Sequence, residues 1–357
     1  MSATPSPTES PTRQRLNPEY LRALPKAEVH CHLEGCVPPE TARRLAERHG
    51  VTLPAGARDG GDRYLFRNFD EGLEIYVAVS NSMQTRDDFR AVTLESLLVG
   101  AEGGLRYREI AFNPQNHPEL TYAEMMDGIL AGAREARAEV GVESRVIVAI
   151  NRELGGAAAL DLVREVLAHP LDEVVAIGLD SNELAGRPSE FVAAYDLARE
   201  AGLKLTAHAG EHGDPTEMVE CLDLLRVDRI DHGYAALLDP DLLSRTVASQ
   251  IPYSACWFVD YPELEVEGRR RDVAAMAAAG LNMCLNSDDP ALIGPELHEC
   301  FIDATVHLEW TIEDAEKYAL AGLDACFADD ATVDRLRAEF SAELERLRPI
   351  AYGSDNE

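Results

Sequence analysis

Short apolar runs alternate with longer amphipathic stretches along most of the chain, from Ala27 to about Ala338. Apolar runs bounded by polar turns predict buried strands, and apolar residues recurring every three or four positions predict helices. The eight predicted strands are Ala27–Leu33, Tyr107–Phe112, Arg145–Ile150, Val174–Leu179, Leu203–His208, Arg229–Asp231, Ile251–Tyr253 and Asn282–Leu285. Eight strand and helix units in alternation predict a parallel (β/α)8 barrel or, failing that, an open doubly wound sheet.

Two further segments have predictable structure. Residues Pro54–Ser82 form too long a connection for a simple loop, so we expect extra helices there, over the mouth of the barrel. The pattern TVDRLRAEFSAELERLR near the end of the chain predicts a surface helix. We predict a single barrel domain over residues 18–350, preceded by a disordered tail over residues 1–17 that is rich in Pro, Ser and Thr.

Composition argues against two classes of partner. The chain has 64 acidic residues against 33 Lys and Arg and a net charge of −31, which disfavours binding to nucleic-acid phosphates. No apolar run reaches the ~20 residues that a membrane helix needs. The N terminus lacks the apolar core of a secretory signal, and the seven cysteines include no CxxC pair. We therefore expect a cytoplasmic protein with free thiols and a small-molecule ligand.

Histidines and a carboxylate follow several predicted strands. His30 and His32 share one face of the first strand, because successive strand side chains point to opposite faces. His208 ends the fifth strand, and Asp288 follows the eighth. The carboxyl ends of barrel strands meet at one face, so these side chains are expected to come together. Three imidazoles and a carboxylate suit Zn²⁺ with one position left for water.

Three more residues near these ligands have side chains suited to catalysis. Zinc lowers the pKa of a bound water towards ~7, and His232 in the sequence DHG is a candidate to orient that water and take its proton. Glu211, three residues after His208, is placed to donate a proton if its carboxyl is protonated. Asp289, next to Asp288, could pair with an N–H of a substrate.

The lysines bear on how many metal ions the site holds. A second metal bridged by a carboxylated lysine would need a lysine at the end of the fourth strand. The lysines of the chain are Lys26, Lys204 and Lys317, and none is at that position. A single metal ion is expected.

The motifs HCHLEG, HAGE, DHG and NSDDP, in this order, resemble those of the adenosine deaminase family of metal-dependent amidohydrolases over residues 20–340. The resemblance implies a (β/α)8 barrel with His30, His32, His208 and Asp288 as zinc ligands. It implies hydrolytic deamination of a 6-aminopurine at C6 to the 6-oxopurine and ammonia.

The same resemblance implies roles for three further residues. Glu211 would donate a proton to purine N1, His232 would position the hydroxide, and Asp289 would pair with N7. These are the residues already singled out by their chemistry.

The branch of the family decides which purine is the substrate. GLDSNE and EIAFNPQNH look like the adenine deaminase patterns GLDSSE and EIFFDPQTH, and RIDHG replaces the RIGHG of adenosine enzymes. By this correspondence Ser181 stands near purine N3. Glu34 is expected to line the pocket where nucleoside enzymes place an acidic residue near the ribose. The three motif features favour adenine over adenosine, whereas Glu34 does not distinguish the free base from a nucleoside.

One segment departs from both branches. After the seventh strand the sequence reads IPYSACWFVDYPELEV, which places Trp257, Phe258 and Tyr261 in or near the pocket mouth. These aromatic side chains would stack on a base, close over an N6 substituent, or serve only in packing. Alternative substrates are therefore an N6-substituted adenine or another adenine nucleoside. A non-purine amidohydrolase and a purine-binding protein without catalysis are the other readings.

Overall fold

The computed structural model describes residues 15–257 and 266–352. Its sheet has eight parallel strands, each paired with the next in chain order. The strands are β1 Lys26–His32, β2 Leu105–Phe112, β3 Glu143–Asn151, β4 Val174–Asp180, β5 Lys204–Ala209, β6 Arg229–His232, β7 Tyr253–Cys256 and β8 Met283–Asn286. All eight predicted strands are present, which confirms the barrel prediction.

Side-chain and backbone hydrogen bonds bring β8 next to β1. The Asn286 side-chain oxygen accepts the backbone N–H groups of Val29 at 2.9 Å and His30 at 3.1 Å. Just beyond, the His32 N–H donates to the Asp288 carbonyl at 2.9 Å. These bonds nearly close the barrel and bring the two segments that carry predicted metal ligands side by side.

The boundaries of β7 differ from the prediction. The strand begins at Tyr253, where the predicted one ended. Pro252 has no N–H to donate to a ladder, and it precedes the strand instead of lying within it. Ser254, a polar residue that the apolar-run criterion rejects, is buried in the strand because its hydroxyl donates to Asp231 at 2.5 Å.

Helices flank the barrel. The described helices are α1 Pro18–Ala23, α2 Pro39–His49, α3 Ala55–Arg58, α4 Phe69–Ser80, α5 Arg86–Glu102, α6 Tyr122–Val140, α7 Gly155–Ala168, α8 Val192–Glu200, α9 Pro215–Glu220, α10 Pro240–Ser249, α11 Val266–Ala279, α12 Pro290–Ile293, α13 Leu297–His307, α14 Ile312–Ala325 and α15 Asp330–Leu347. The predicted extra helices over the mouth are α3 and α4, and the predicted surface helix is α15. None of the described helices combines the length and apolar character that a membrane span needs.

Local sequence explains several helix ends. Thr85, Thr121 and Thr311 each accept the backbone N–H of an acidic residue three positions later, whose carboxylate in turn accepts the threonine N–H. Such a reciprocal pair satisfies two donors that the first helical turn leaves free. Gly141 ends α6 in the left-handed conformation, which glycine adopts without a steric penalty.

The structure bears on two further predictions: the disordered tail over residues 1–17 and the free cysteine thiols. Residues 1–14 of the predicted tail lie outside the described residues, but Leu16 is buried and pairs with Tyr352, and Asn17 caps α1. All seven cysteines lie in the described part of the chain and are free, as predicted.

The barrel interior contains buried ion pairs. Arg229, which is fully buried, donates to Glu109 at 2.7 Å and to the carbonyls of Val29 at 2.8 Å and Ala325 at 3.1 Å, and its Nε lies 3.3 Å from Asp231. One guanidinium thus joins residues of three strands and α14. It neutralises Glu109, which would otherwise be buried without a counter-charge, and shares the neutralisation of Asp231 with His30.

We expect Arg229→Met to lower the free energy of unfolding by ~3–5 kcal/mol, because it leaves the buried Glu109 without a counter-charge and removes one of the two that face Asp231. Urea unfolding followed by circular dichroism measures the change. Arg58→Met, which removes an exposed ion pair with Asp59, is the matched control and should not move the unfolding curve measurably. Equal effects of the two substitutions would contradict the role given to Arg229.

Candidate active site

The predicted metal ligands come together at the carboxyl ends of β1, β5 and β8. Ligand atoms of His30, His32 and His208 all lie within 4.8 Å of one another, and all three side chains are buried. Oδ1 of Asp288 lies 3.1 Å from Nε2 of His30 and 3.4 Å from Nε2 of His32. The structure therefore assembles the four residues that the sequence analysis selected.

The chemistry of this cluster fits a zinc ion. Nε2 of His30 is buried and faces Oδ1 of Asp288, so a ligand nitrogen and a ligand oxygen already point at the same position. Burial, reinforced by the neighbouring His232, His30 and His32, holds the pKa of His208 well below its ordinary value. His208 is therefore neutral at neutral pH, and the neutral imidazole is the form that binds a metal.

Residues behind the ligands orient their rings. The hydroxyl of Ser254 donates to Asp231, so at 3.0 Å it accepts a hydrogen bond from Nδ1 of His30. Nδ1 of His32 lies 3.5 Å from a carboxylate oxygen of Asp180. Such contacts fix the Nδ1–H tautomer and direct Nε2 towards a metal. The sequence analysis missed these supporting residues, although Asp180 and Asp231 lie within its motifs GLDSNE and RIDHG.

Three of the six non-glycine residues with positive φ in the described part of the chain lie at the same site. Ser181, His232 and Asp288 adopt positive φ angles of 68°, 67° and 67° although none is glycine. Left-handed backbone is costly for such residues and persists where the surroundings enforce it, most often at functional sites. The strained positions follow β4, end β6 and follow β8.

A cavity opens in front of the cluster, and His32, His208 and Asp288 form part of its wall. Its polar wall includes Asn113, Asp180, Ser181, Glu211, His232 and Asp289. Its other wall includes Phe66, Leu73, Tyr76, Leu292 and Ile293, three of which come from α4 or the segment before it. A polar end beside apolar walls suits a flat heterocycle.

Glu211 and His232 face each other beside the metal cluster. Nε2 of His232 lies 3.7 Å from Glu211 and 3.9 Å from Asp288, while its Nδ1 lies 3.5 Å from the hydroxyl of Tyr234. Burial lowers the pKa of His232, although the two carboxylates oppose the shift. A neutral imidazole in this position can accept a proton from a water molecule.

Two buried residues that the sequence analysis missed support the loop after β5. Both oxygens of Glu183 accept backbone N–H groups, from Glu211 at 3.2 Å and from His212 at 2.7 Å. Burial would raise the pKa of Glu183, but these bonds and the His212 side chain lower it to about 2. Arg152 donates to the carbonyls of His208 at 2.7 Å and Glu183 at 3.2 Å. The loop that carries a ligand and the predicted proton donor is thereby fixed to β3 and β4.

Asp289 lines the cavity beside the backbone of Gly35. A Cβ atom at Gly35 would lie 1.8 Å from Oδ1 of Asp289, so this position requires glycine. Burial, together with the charge of Asp288, raises the pKa of Asp289 well above its ordinary value. A protonated Asp289 can donate a hydrogen bond to a ligand.

Of the other predicted pocket residues, Ser181 lines the cavity and Glu34 does not. Ser181 lines the cavity, and its hydroxyl donates to Asp180 at 3.3 Å. Glu34 is buried and is not among the residues that form the cavity wall. Its Oε1 accepts the Asn113 N–H at 3.1 Å and lies 3.2 Å from Nε2 of His117. The structure therefore places Glu34 behind the wall and not in it.

The aromatic segment after β7 is described only at its start. Trp257 is fully buried, its indole N–H donates to Asp303 at 2.7 Å, and it is not part of the cavity wall. It serves in packing, which is one of the roles left open above. Phe258 and Tyr261 lie outside the described residues.

Comparisons with known proteins identify the family of the chain. The model of the adenosine deaminase family matches residues 25–342. A curated relative, adenine deaminase from Bordetella avium, is 37% identical over 310 residues, which cover 85% of this chain and 98% of the relative. The crystal structure of adenine deaminase from Arthrobacter aurescens has a TM-score of 0.82 at 34% identity, covering 90% of this chain and all of that chain.

A further solved structure contains a metal. An amidohydrolase from Burkholderia ambifaria with bound Zn has a TM-score of 0.86 at 31% identity, and the match covers 93% of each chain. The family model, the relatives and the solved structures thus agree on the family that the motifs indicated. The chain belongs to the adenosine deaminase family.

Proposed function

We propose that the protein is a zinc-dependent adenine deaminase, which converts adenine and water to hypoxanthine and ammonia. The observation that carries the proposal is the meeting of a three-histidine, one-carboxylate cluster with Glu211 and His232 at one end of a single cavity. The names and the extensive similarity of the relatives described above support adenine as the substrate.

We assign one zinc ion to His30, His32, His208 and Asp288. When bound, zinc acidifies a water molecule and so supplies hydroxide at neutral pH. The support is the donor set itself and the convergence of its histidine ligand atoms at one buried position, together with the zinc in the Burkholderia relative.

The side chains of the protein transfer the protons and bind the purine ring. His232 orients the attacking water through Nε2 and accepts its proton. Glu211 gives a proton to ring N1, so that C6 becomes the better electrophile. The amino group takes the proton that His232 accepted and leaves as ammonia, and the hydroxyl proton left at C6 returns to Glu211. Asp289 pairs with N7, and Ser181 lies near N3. The neutral state of His232 and the fixed loop of Glu211 support these assignments.

A side-by-side measurement of kcat/KM for adenine and adenosine tests the proposal. Ultraviolet absorbance follows deamination directly, on protein loaded with zinc. We expect adenine to be preferred by about 100-fold or more, since a built site discriminates strongly against a poorly matched ligand. A preference for adenosine would contradict the choice of substrate. Failure to deaminate either purine or an N6-substituted adenine would contradict the reaction.

A further inference from the structure

A buried carboxylate outside the cavity wall binds the loop after β8 to β1. Glu28 lies two residues before His30 and is fully buried. Its Oε1 accepts both the backbone N–H of Ser287 at 2.9 Å and the Ser287 hydroxyl at 2.6 Å. Ser287 directly precedes Asp288. A side chain of the first strand therefore holds the residue next to a metal ligand from the opposite end of the sheet.

Glu28 is itself held at its second oxygen. Oε2 accepts a hydrogen bond from Nε of Arg108 at 2.7 Å, and Arg108 is buried. Nη1 of Arg108 in turn donates to the carbonyl of Ser96 in α5 at 3.1 Å. The guanidinium supplies the counter-charge that a buried carboxylate needs, and the bond between them is charge-assisted and strong. Glu28 is thus a fixed anchor for Ser287.

The backbone of Asp288 needs such an anchor. Its φ angle of 67° is in the left-handed region, which is costly for a residue other than glycine and persists where surrounding contacts enforce it. On the side of β1, its N–H donates to the His30 carbonyl at 3.3 Å and its carbonyl accepts the His32 N–H at 2.9 Å. The bonds from Ser287 to Glu28 fix the preceding residue. Together these contacts direct the Asp288 carboxylate, whose Oδ1 lies 3.1 Å from Nε2 of His30.

We infer that Glu28 is a positioning residue for the metal site: through Ser287 it holds Asp288 in the orientation in which the carboxylate meets the histidine ligands. The inference rests on the function proposed above, which assigns zinc to these ligands. The supporting contacts of Ser254 and Asp180 act on histidine rings, whereas this one acts on the carboxylate ligand. Partners that orient metal ligands typically contribute about 10- to 100-fold to metal affinity.

Ser287→Ala tests the inference without changing any charge. It removes the hydroxyl bond to Glu28 and keeps the backbone bond. We expect the dissociation constant for zinc to rise by about 10-fold, measured on metal-free protein by competition with a chromophoric chelator. Glu28→Gln should raise it by about 30-fold or more, because the amide nitrogen cannot accept the bonds that one of the two oxygens accepts now.

Two control variants remove similar groups from another part of the fold. Ser82 is a buried serine whose hydroxyl donates to the Val79 carbonyl at 2.6 Å, and Asp88 is a buried carboxylate that accepts from Arg48 at 2.8 Å. Ser82→Ala and Asp88→Asn should lower the midpoint of thermal unfolding of the metal-free protein. They should leave zinc affinity within about twofold, since their hydrogen-bond partners are separate from those of the test variants.

Two outcomes would overturn the inference. One is Ser287→Ala protein that binds zinc as tightly as the wild type, because a loss in Glu28→Gln alone would then report the removed charge. The other is an equal loss of zinc affinity in the test and control variants. Ser287→Ala decides alone if Glu28→Gln does not fold. The zinc measurement needs no substrate, so weaker zinc binding in Ser287→Ala, in a protein whose wild type deaminates no purine, would contradict the proposed function and retain the inference.

Discussion

Replacement of Glu211 by glutamine should lower kcat for adenine by about 1,000-fold, within the range expected for loss of a general acid. Glutamine has nearly the same shape, and its backbone N–H can still donate to Glu183 as the native residue does. It has no acidic proton to give to purine N1. Steady-state kinetics by ultraviolet absorbance measures the loss, and metal analysis verifies that zinc is retained.

Glu153→Gln is the control for this substitution. Glu153 is exposed in the loop after β3 and is not part of the cavity wall, so its replacement should leave kcat unchanged. A Glu211→Gln protein that binds zinc and retains more than about a tenth of wild-type kcat would show that another group donates the proton.

The barrel could be predicted from the sequence because the patterns that indicate its strands and helices are local. Each strand is a short apolar run, and each helix repeats its apolar residues with helical spacing, so neither pattern needs a distant contact to be recognised. The exception is β7, where the polar Ser254 lies inside a strand. Its burial depends on a hydrogen bond to Asp231 of the neighbouring strand, and no local pattern encodes that bond.

The ligands and the catalytic pair could be predicted for a related reason. A parallel barrel brings all its strand ends to one face, so a histidine or carboxylate after a strand can be placed near the others from topology alone. Glu183 and Arg152 act differently, through bonds to the backbone of another loop. Contacts of that kind follow from the packed structure and leave no spacing signature in the sequence.

Glu34 and Tyr76 are positions at which the motifs alone did not predict which side chain lines the cavity. The position of Glu34 after the strand led to the expectation that it lines the pocket, yet Glu34 is buried outside the cavity wall and Tyr76 from α4 lines the cavity. How a helix outside the barrel packs over the mouth depends on many weak apolar contacts. A residue such as Glu34 can thus occupy the position that the motif gives it and still not line the cavity.

Removal of zinc should abolish deamination and lower the thermal stability of the protein together. Three buried imidazoles and Asp288 converge on one point, and a cation there stabilises the folded chain because it binds the native state and not the unfolded one. Dialysis against a chelator, followed by return of one equivalent of zinc per chain, should remove and then restore both activity and the midpoint of thermal unfolding. Full activity in protein that metal analysis finds free of metal would contradict the assignment.

His208→Ala tests the same assignment within the chain, with the exposed His169→Ala as its control. We expect the first variant to lose zinc and at least about 1,000-fold in kcat, because an open ligand position no longer holds the ion that acidifies water. The second should retain both.

Zinc affinity should also rise with pH. Burial opposes protonation of His30, but Asp288 and Asp231 raise its pKa to about 9 in the metal-free protein. A proton must therefore leave His30 when zinc binds, and lower pH favours the proton over the metal.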